Sequence, residues 1–300
     1  MSSRRTRRVP GIRRGRFRAV PGCFRGIAEG RCRGRAEAAS VAAPLVAQVQ
    51  RRARTLARVR LTARPPFPPE RCAERCGVVA IRRLGAAGSG AALDPAPAER
   101  GRPRWTLTVD AAIPPHTPQW NGAVALALGR ALLPPGAADE TLAEIGAAEI
   151  LLPARPFRSA AARTDLTMDG LRELAMRFSA PIRLTLRQWL LTGTWRGYAL
   201  LWREEGGAPV LRWRAASPSE RFPASASIGA PAERVFPPQS RFHATLRTGR
   251  AHHGVEEVRT GAGPAWWFTR FGVVRGAADV ALPPGGGRAV LALVVLDRTG

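Results

Sequence analysis

Trp120-Asn-Gly-Ala-Val-Ala-Leu-Ala-Leu-Gly-Arg-Ala-Leu-Leu-Pro134 is followed, after a short loop, by Glu140-Thr-Leu-Ala-Glu-Ile-Gly-Ala-Ala-Glu-Ile-Leu-Leu-Pro153. Both halves carry helical period. Val124, Leu128, Ala131 and Leu132 fall on one face, and Ile145, Ala148 and Leu152 on another. Pro134-Pro-Gly136 divides them, which predicts two apolar helices with a tight connection. On its own, such a pair is ordinary core. The elements around it and the order of its residues say more.

Upstream, residues 44–60 read as a basic amphipathic helix with Leu45, Val49 and Leu56 near one face. Pro65-Pro-Phe-Pro-Pro69 breaks it and opens a short helix, Pro69 to Gly77, that carries Cys72 and Cys76. A strand begins at Gly77-Val-Val-Ala-Ile81 and runs through Arg82 and Arg83 to a Gly-rich turn at 85–90. The low-complexity stretch Asp94 to Pro103 reads as a loop. Trp105 to Asp110 then alternates Trp105, Leu107 and Val109 against Thr106 and Thr108, as a half-buried strand does. The helix pair therefore follows two helices and two strands.

In that setting Ala147-Ala-Glu-Ile-Leu-Leu-Pro153 is similar to the end of the Glu-Ala-Asn-x-Phe-Ala-Ala-Glu-Leu-Leu-Met-Pro signature of the ImmA/IrrE family of metallopeptidases. Ala125-Leu-Ala-Leu-Gly-Arg-Ala-Leu132 sits where that family has its Ala-His-Glu-Leu-Gly-His-Leu-Leu zinc helix. The resemblance covers roughly residues 50–195 and implies a zincin-like fold. It also places the lost chemistry. Two histidines at i, i+4 on a helix aim both imidazoles at one metal, and the glutamate after the first activates a water. Leu126 and Arg130 stand in the histidine positions, Ala127 in that of the glutamate, and Leu142 in that of the third ligand. Leucine and alanine offer a metal no lone pair. A guanidinium opposite a divalent ion adds repulsion of roughly 8 kcal/mol at about 4 Å and an effective dielectric near 20. The zinc of active family members is thus not expected, and no cofactor is. Glu140 and Glu144 flank Leu142 and read as solvated helix faces; with the loop residue His116 they are the displaced ligands that a working peptidase would need.

The chain has 300 residues, enough for two domains, and its net charge is +25. It has no lysine, so all 47 basic residues are arginine. Residues 1–64 hold 18 of them against Glu29 and Glu37, so most of the surplus lies at one end. The stretch 1–43 has little apolar periodicity and is expected to be a disordered arm. It reads as a phosphate-gripping arm or as an inert tail translated from an upstream start. Cys23 and Cys32 lie in it, too widely spaced to join Cys72 and Cys76 in a zinc site; free thiols are expected. The longest apolar run, Ala289 to Leu296, is too short to span a bilayer, so a cytoplasmic protein with no membrane partner is expected.

A polar bridge after Pro153 leads to a second helix pair. Leu171, Leu174, Ala175 and Phe178 mark one apolar face, and Ile182, Leu186, Trp189 and Leu190 the other. Ser179-Ala-Pro181 joins them. The pair is similar to the helix-turn-helix-like segment of the same family. Arg183, Thr185, Arg187 and Gln188 are its expected exposed polar residues, available either to DNA or to solvent. Beyond Gly193, the segments Tyr198–Arg203 and Val210–Arg214 read as a β-hairpin. Phe242–Arg247, Ala265–Arg270 and Val290–Leu296 read as further strands. His243, His252 and His253 have no metal spacing, and Trp266-Trp267 would set one ring in the core and one outside.

The whole reads as an α+β chain: an arm (1–43), a zincin-like domain (44–160), a helix-turn-helix-like pair (161–195) and a smaller, mainly β domain that resembles a GAF-like module (196–300). The expected function is that of a catalytically inactive ImmA/IrrE-like homologue in transcriptional or stress regulation, with a protein partner such as a transcriptional regulator. The alternatives are an active zinc peptidase with displaced ligands and a DNA-binding protein acting through the arm and the helix pair.

Overall fold

The structure, a computed structural model, describes residues 33–57, 65–85, 90–99, 102–134, 137, 139–193, 195–218, 220, 222, 226–260, 263–274 and 289–297. Helix α1 spans Arg33–Ala57. Its first eleven residues fall inside the stretch expected to be disordered, because Ala36 to Ala43 is rich in alanine and favours helix. The preceding arm lies outside the described residues. The four-residue α2, Glu70–Ala73, continues as a 3-10 turn to Cys76 and stops at Gly77, whose φ of 82° reverses the chain.

Strands β1 (Val78–Leu84), β2 (Ala91–Glu99) and β3 (Arg102–Asp110) form a sheet in the order β1-β3-β2, with β1 parallel and β2 antiparallel to β3. The loop expected at Asp94–Pro103 is thus largely strand. Pro95 and Pro97 are tolerated because β2 is an edge, where a missing N–H breaks no ladder. The predicted helix pair follows as α3 (Pro118–Ala131) and α4 (Glu140–Leu151). The expected polar bridge contains a further helix, α5 (Ala154–Ala161), which drives Phe157 into the core against Phe178, ring centroids 5.4 Å apart. Helices α6 (Met168–Phe178) and α7 (Ile182–Leu191) come next.

The last third is a five-stranded antiparallel sheet in the order β5-β4-β8-β7-β6. Its strands are β4 (Arg196–Glu205), β5 (Ala208–Ala216), β6 (His252–Thr260), β7 (Gly263–Val274) and β8 (Ala289–Asp297). Phe242–Arg247 is not a strand but most of helix α8, Arg241–Thr248. Ser240 precedes it and Gly249 ends it at a φ of 70°. Phe242 and Thr245 are its buried residues, a helical spacing that a short apolar run does not reveal. Trp266 and Trp267 lie on β7, and their side chains are outside the described residues.

Residues 43–300 form one compact unit. The period of two along β4 and β8 divides its core. Ala199, Leu201, Leu291 and Leu293 face the helices and join a continuous core with Leu107, Val124, Leu128 and Ile150. Leu200, Trp202, Val290 and Ala292 face the other way, onto Phe236 and Phe242. Among the described residues no helix is long and apolar enough to cross a membrane.

Candidate functional site

Helices α3 and α4 cross with almost no side chain between them. A Cβ on Gly129 would overlap the carbonyl oxygen of Ala143, and one on Gly146 would stand 3.3 Å from the Gly129 Cα. Each helix starts at a polar cap. The Thr117 hydroxyl accepts from the Trp120 N–H at 3.2 Å, and the Asp139 carboxylate accepts from the Thr141 N–H at 2.8 Å.

On this scaffold the four positions of the lost zinc motif go separate ways. Leu126 is partly buried against the main core, and Ala127 is wholly inside it. Leu142 joins Val49 and Ile145 in another, smaller cluster, apart from the core that takes Leu126. Arg130 reaches across to Glu140, donating from Nε at 3.1 Å and from Nη2 at 2.9 Å. None of these residues offers a lone pair to a metal, and the one charged group among them is a cation already paired. The donor set does not fit zinc. Among the described residues no three His, Cys, Asp or Glu side chains gather as a metal ion would require. His116 is exposed at a φ of 62°, outside any such group.

Glu140 is exposed, as expected of a solvated face. Glu144 is not: it is 2 % exposed, and its carboxylate is the centre of a buried charge cluster. One oxygen accepts from Arg183 and the other from Arg187, both on α7. The Trp213 indole on β5 also donates to it, at 3.0 Å. Both guanidinium groups lie over the indole, 5.3 Å (Arg187) and 6.0 Å (Arg183) from its ring centroid. Burial lowers the pKa of each arginine to about 10; beside Arg183 the Arg187 charge adds to the fall, and Asp139 opposes it at Arg187. A carboxylate held by two guanidinium groups and an indole is an acceptor with its proton sites occupied. It ties α4, α7 and β5 together and is unfit to serve as a general base.

A second buried carboxylate stands five residues further along α4. Glu149 accepts from Gln188 at 3.1 Å and from Arg54 on α1 at 2.9 Å. Gln188 also donates to the Leu152 carbonyl at 2.7 Å. Thr185 is fully buried and donates to the Pro181 carbonyl at 3.0 Å. The expected exposure of Arg183, Thr185, Arg187 and Gln188 is therefore corrected. Arg187 is 6 % exposed, Thr185 and Gln188 are sealed, and Arg183 is largely covered. The reason is the position of α7, which packs against α4, α5, α6 and the β4–β5 hairpin at once. The exposed polar side chains of the pair are on α6, where Arg172, Glu173 and Arg177 face outward.

Sequence reasoning missed this cluster, although a signal was present. Glu144 sits among Ala143, Ile145, Ala147 and Ala148, and an acid inside an unbroken apolar run calls for a buried partner. Cys72 and Cys76 are free thiols, as expected; burial, with neighbouring Cys72, pushes the Cys76 pKa up to about 12, so it stays protonated and unreactive. Cys23 and Cys32 lie outside the described residues.

No family model matches the sequence, and no curated protein matches it. The fold is similar to that of a solved structure described as a Mycobacterium tuberculosis transcriptional regulator, with a TM-score of 0.51 over 83 % of this chain and 88 % of that one. At 15 % identity the likeness is one of fold alone.

Proposed function

We propose that this chain is a non-proteolytic, ImmA/IrrE-like regulatory protein that keeps the helix-pair scaffold to bind a protein partner, with a transcriptional regulator the favoured class. The observation that carries the reading is the Arg130–Glu140 ion pair, which occupies the second histidine position with a cation and pins it to the neighbouring helix. The buried capture of Glu144 supports it, since one of the two carboxylates that flank the third-ligand position is spent on two arginines. The regulator named above shares the fold, and regulation is brought from it to this chain as an analogy.

In this reading residues 44–160 are the degenerate peptidase-like domain, 161–195 the helix pair and 196–300 a GAF-like sensing domain of a cytoplasmic protein. The test is elemental analysis of chelator-free protein, followed by binding and cleavage assays with a helix-turn-helix repressor. The reading expects no equivalent of zinc and a complex without cleavage. Zinc near one equivalent with chelator-sensitive cleavage would overturn it.

A further inference from the structure

We propose that the cleft between the end of β4 and helix α8 binds a small zwitterion of the α-amino-acid class. The cleft has a volume of about 410 Å³ and is lined by Glu204, Pro238, His243, Leu246 and Arg247. That volume lies toward the small end of ligand sites, ~300–1,000 Å³. His243, Leu246 and Arg247 share one face of α8 by their i, i+3, i+4 spacing, while Glu204 closes the cleft from the sheet.

Its chemistry is that of opposite charges left apart. Glu204 and Arg247 line the same space, and among the described residues neither has an ion-pair partner. The His243 imidazole lines the cleft as well, and its Nε2 is buried without a hydrogen-bond partner. One carboxylate and one guanidinium cancel, so a simple anion meets Glu204 as a repulsive neighbour, and a simple cation meets Arg247 in the same way. A molecule bearing an ammonium and a carboxylate satisfies both, and Leu246 and Pro238 offer apolar contact to the carbon skeleton between them. A metal is the wrong occupant, since among the described residues no three metal-ligating side chains converge. The proposal gives a ligand class to the sensing half of the proposed function and rests on that reading only in this respect; zinc content and repressor binding are decided by separate measurements.

The experiment is calorimetric titration of the full chain with each of the twenty proteinogenic L-amino acids, with acetate and methylamine as single-charge probes. At least one amino acid should bind, and both single-charge probes far more weakly. Glu204→Gln and Arg247→Gln should each weaken that binding about tenfold or more, as the loss of one charge-assisted hydrogen bond does. Arg247 is exposed and Glu204 half-buried, and neither is held in an ion pair among the described residues, so the melting temperatures of these variants should stay close to that of the parent. Binding by no amino acid at millimolar concentration would overturn the proposal. So would unchanged affinity in either variant, or tighter binding in Glu204→Gln, which would mark a plain anion site.

Discussion

The Trp213 indole nitrogen donates to the Glu144 carboxylate across 3.0 Å, so a strand of the C-terminal sheet completes the coordination of an acid buried in the second helix of the α3–α4 pair. Because Arg183 and Arg187 share that carboxylate, removing it leaves two buried cations uncompensated. Glu144→Leu should cost ~3–5 kcal/mol in urea unfolding, as broken buried ion pairs do. The combined replacement Glu144→Leu, Arg183→Leu and Arg187→Met should recover most of that loss, because an apolar cluster of similar volume no longer has charges to desolvate. A triple variant as unstable as Glu144→Leu would show that geometry, not charge balance, dominates here.

The burial of α7 gives a second expectation, for DNA. A phosphate contact removed by mutation lowers the slope of log K against log salt by ~0.9. Arg187→Gln and Arg183→Gln should leave that slope unchanged in fluorescence-anisotropy titrations of the full chain with duplex DNA, while lowering the unfolding midpoint. A shallower slope in either folded variant would mean that these guanidinium groups swing out to reach phosphate.

The α3–α4 crossing should tolerate no side chain. Gly129→Ala ought to stabilise a solvated helix by ~1 kcal/mol. Here the added methyl overlaps the Ala143 carbonyl, which cannot move without breaking α4, so a net loss of ~1–3 kcal/mol is expected from overpacking. Gly85→Ala is the control, since nothing lies within 4 Å of the place its methyl would take. Thermal unfolding of the two variants should differ in sign or clearly in size.

Periodicity found the parts of the fold that bury a face. The helix pair, β1, β3, α6, α7 and the β4–β5 hairpin were all legible, because their apolar residues recur at 3.6 or 2. It failed where tertiary context decides. Pro95 and Pro97 argue against a strand until the sheet order places β2 at an edge. Phe242–Arg247 has the composition of a strand, and only its packing on Trp202 and Phe236 makes the helix. The site was half legible. The absence of metal donors at 126, 127, 130 and 142 follows from residue identity; the apolar neighbours of Glu144 signal its burial, but its partners Arg183 and Arg187 lie some forty residues away and nothing local names them. The same holds for Trp213, whose partner lies 69 residues away.

The start of α8 offers a test of pH dependence. Ser240 stands at the cap, yet its hydroxyl has no partner; instead Glu256 from β6 accepts the Arg241 N–H, at 2.9 Å and 3.1 Å to its two oxygens. Burial raises the Glu256 pKa, against the opposing pull of the Arg241 hydrogen bond and charge and of His252 and His243. A carboxyl whose pKa is higher folded than unfolded binds its proton more tightly in the native state. Its contribution to stability is therefore fully present below the ordinary carboxyl range and is lost as pH rises through the folded value. Glu256→Gln keeps an acceptor for the Arg241 N–H and cannot titrate. The difference in unfolding free energy, parent minus variant, should fall as pH climbs from about 4, the ordinary carboxyl range, and then level off. A difference that rises over that interval would mean that the Arg241 contacts outweigh burial, and that Glu256 is a net charged cap of α8.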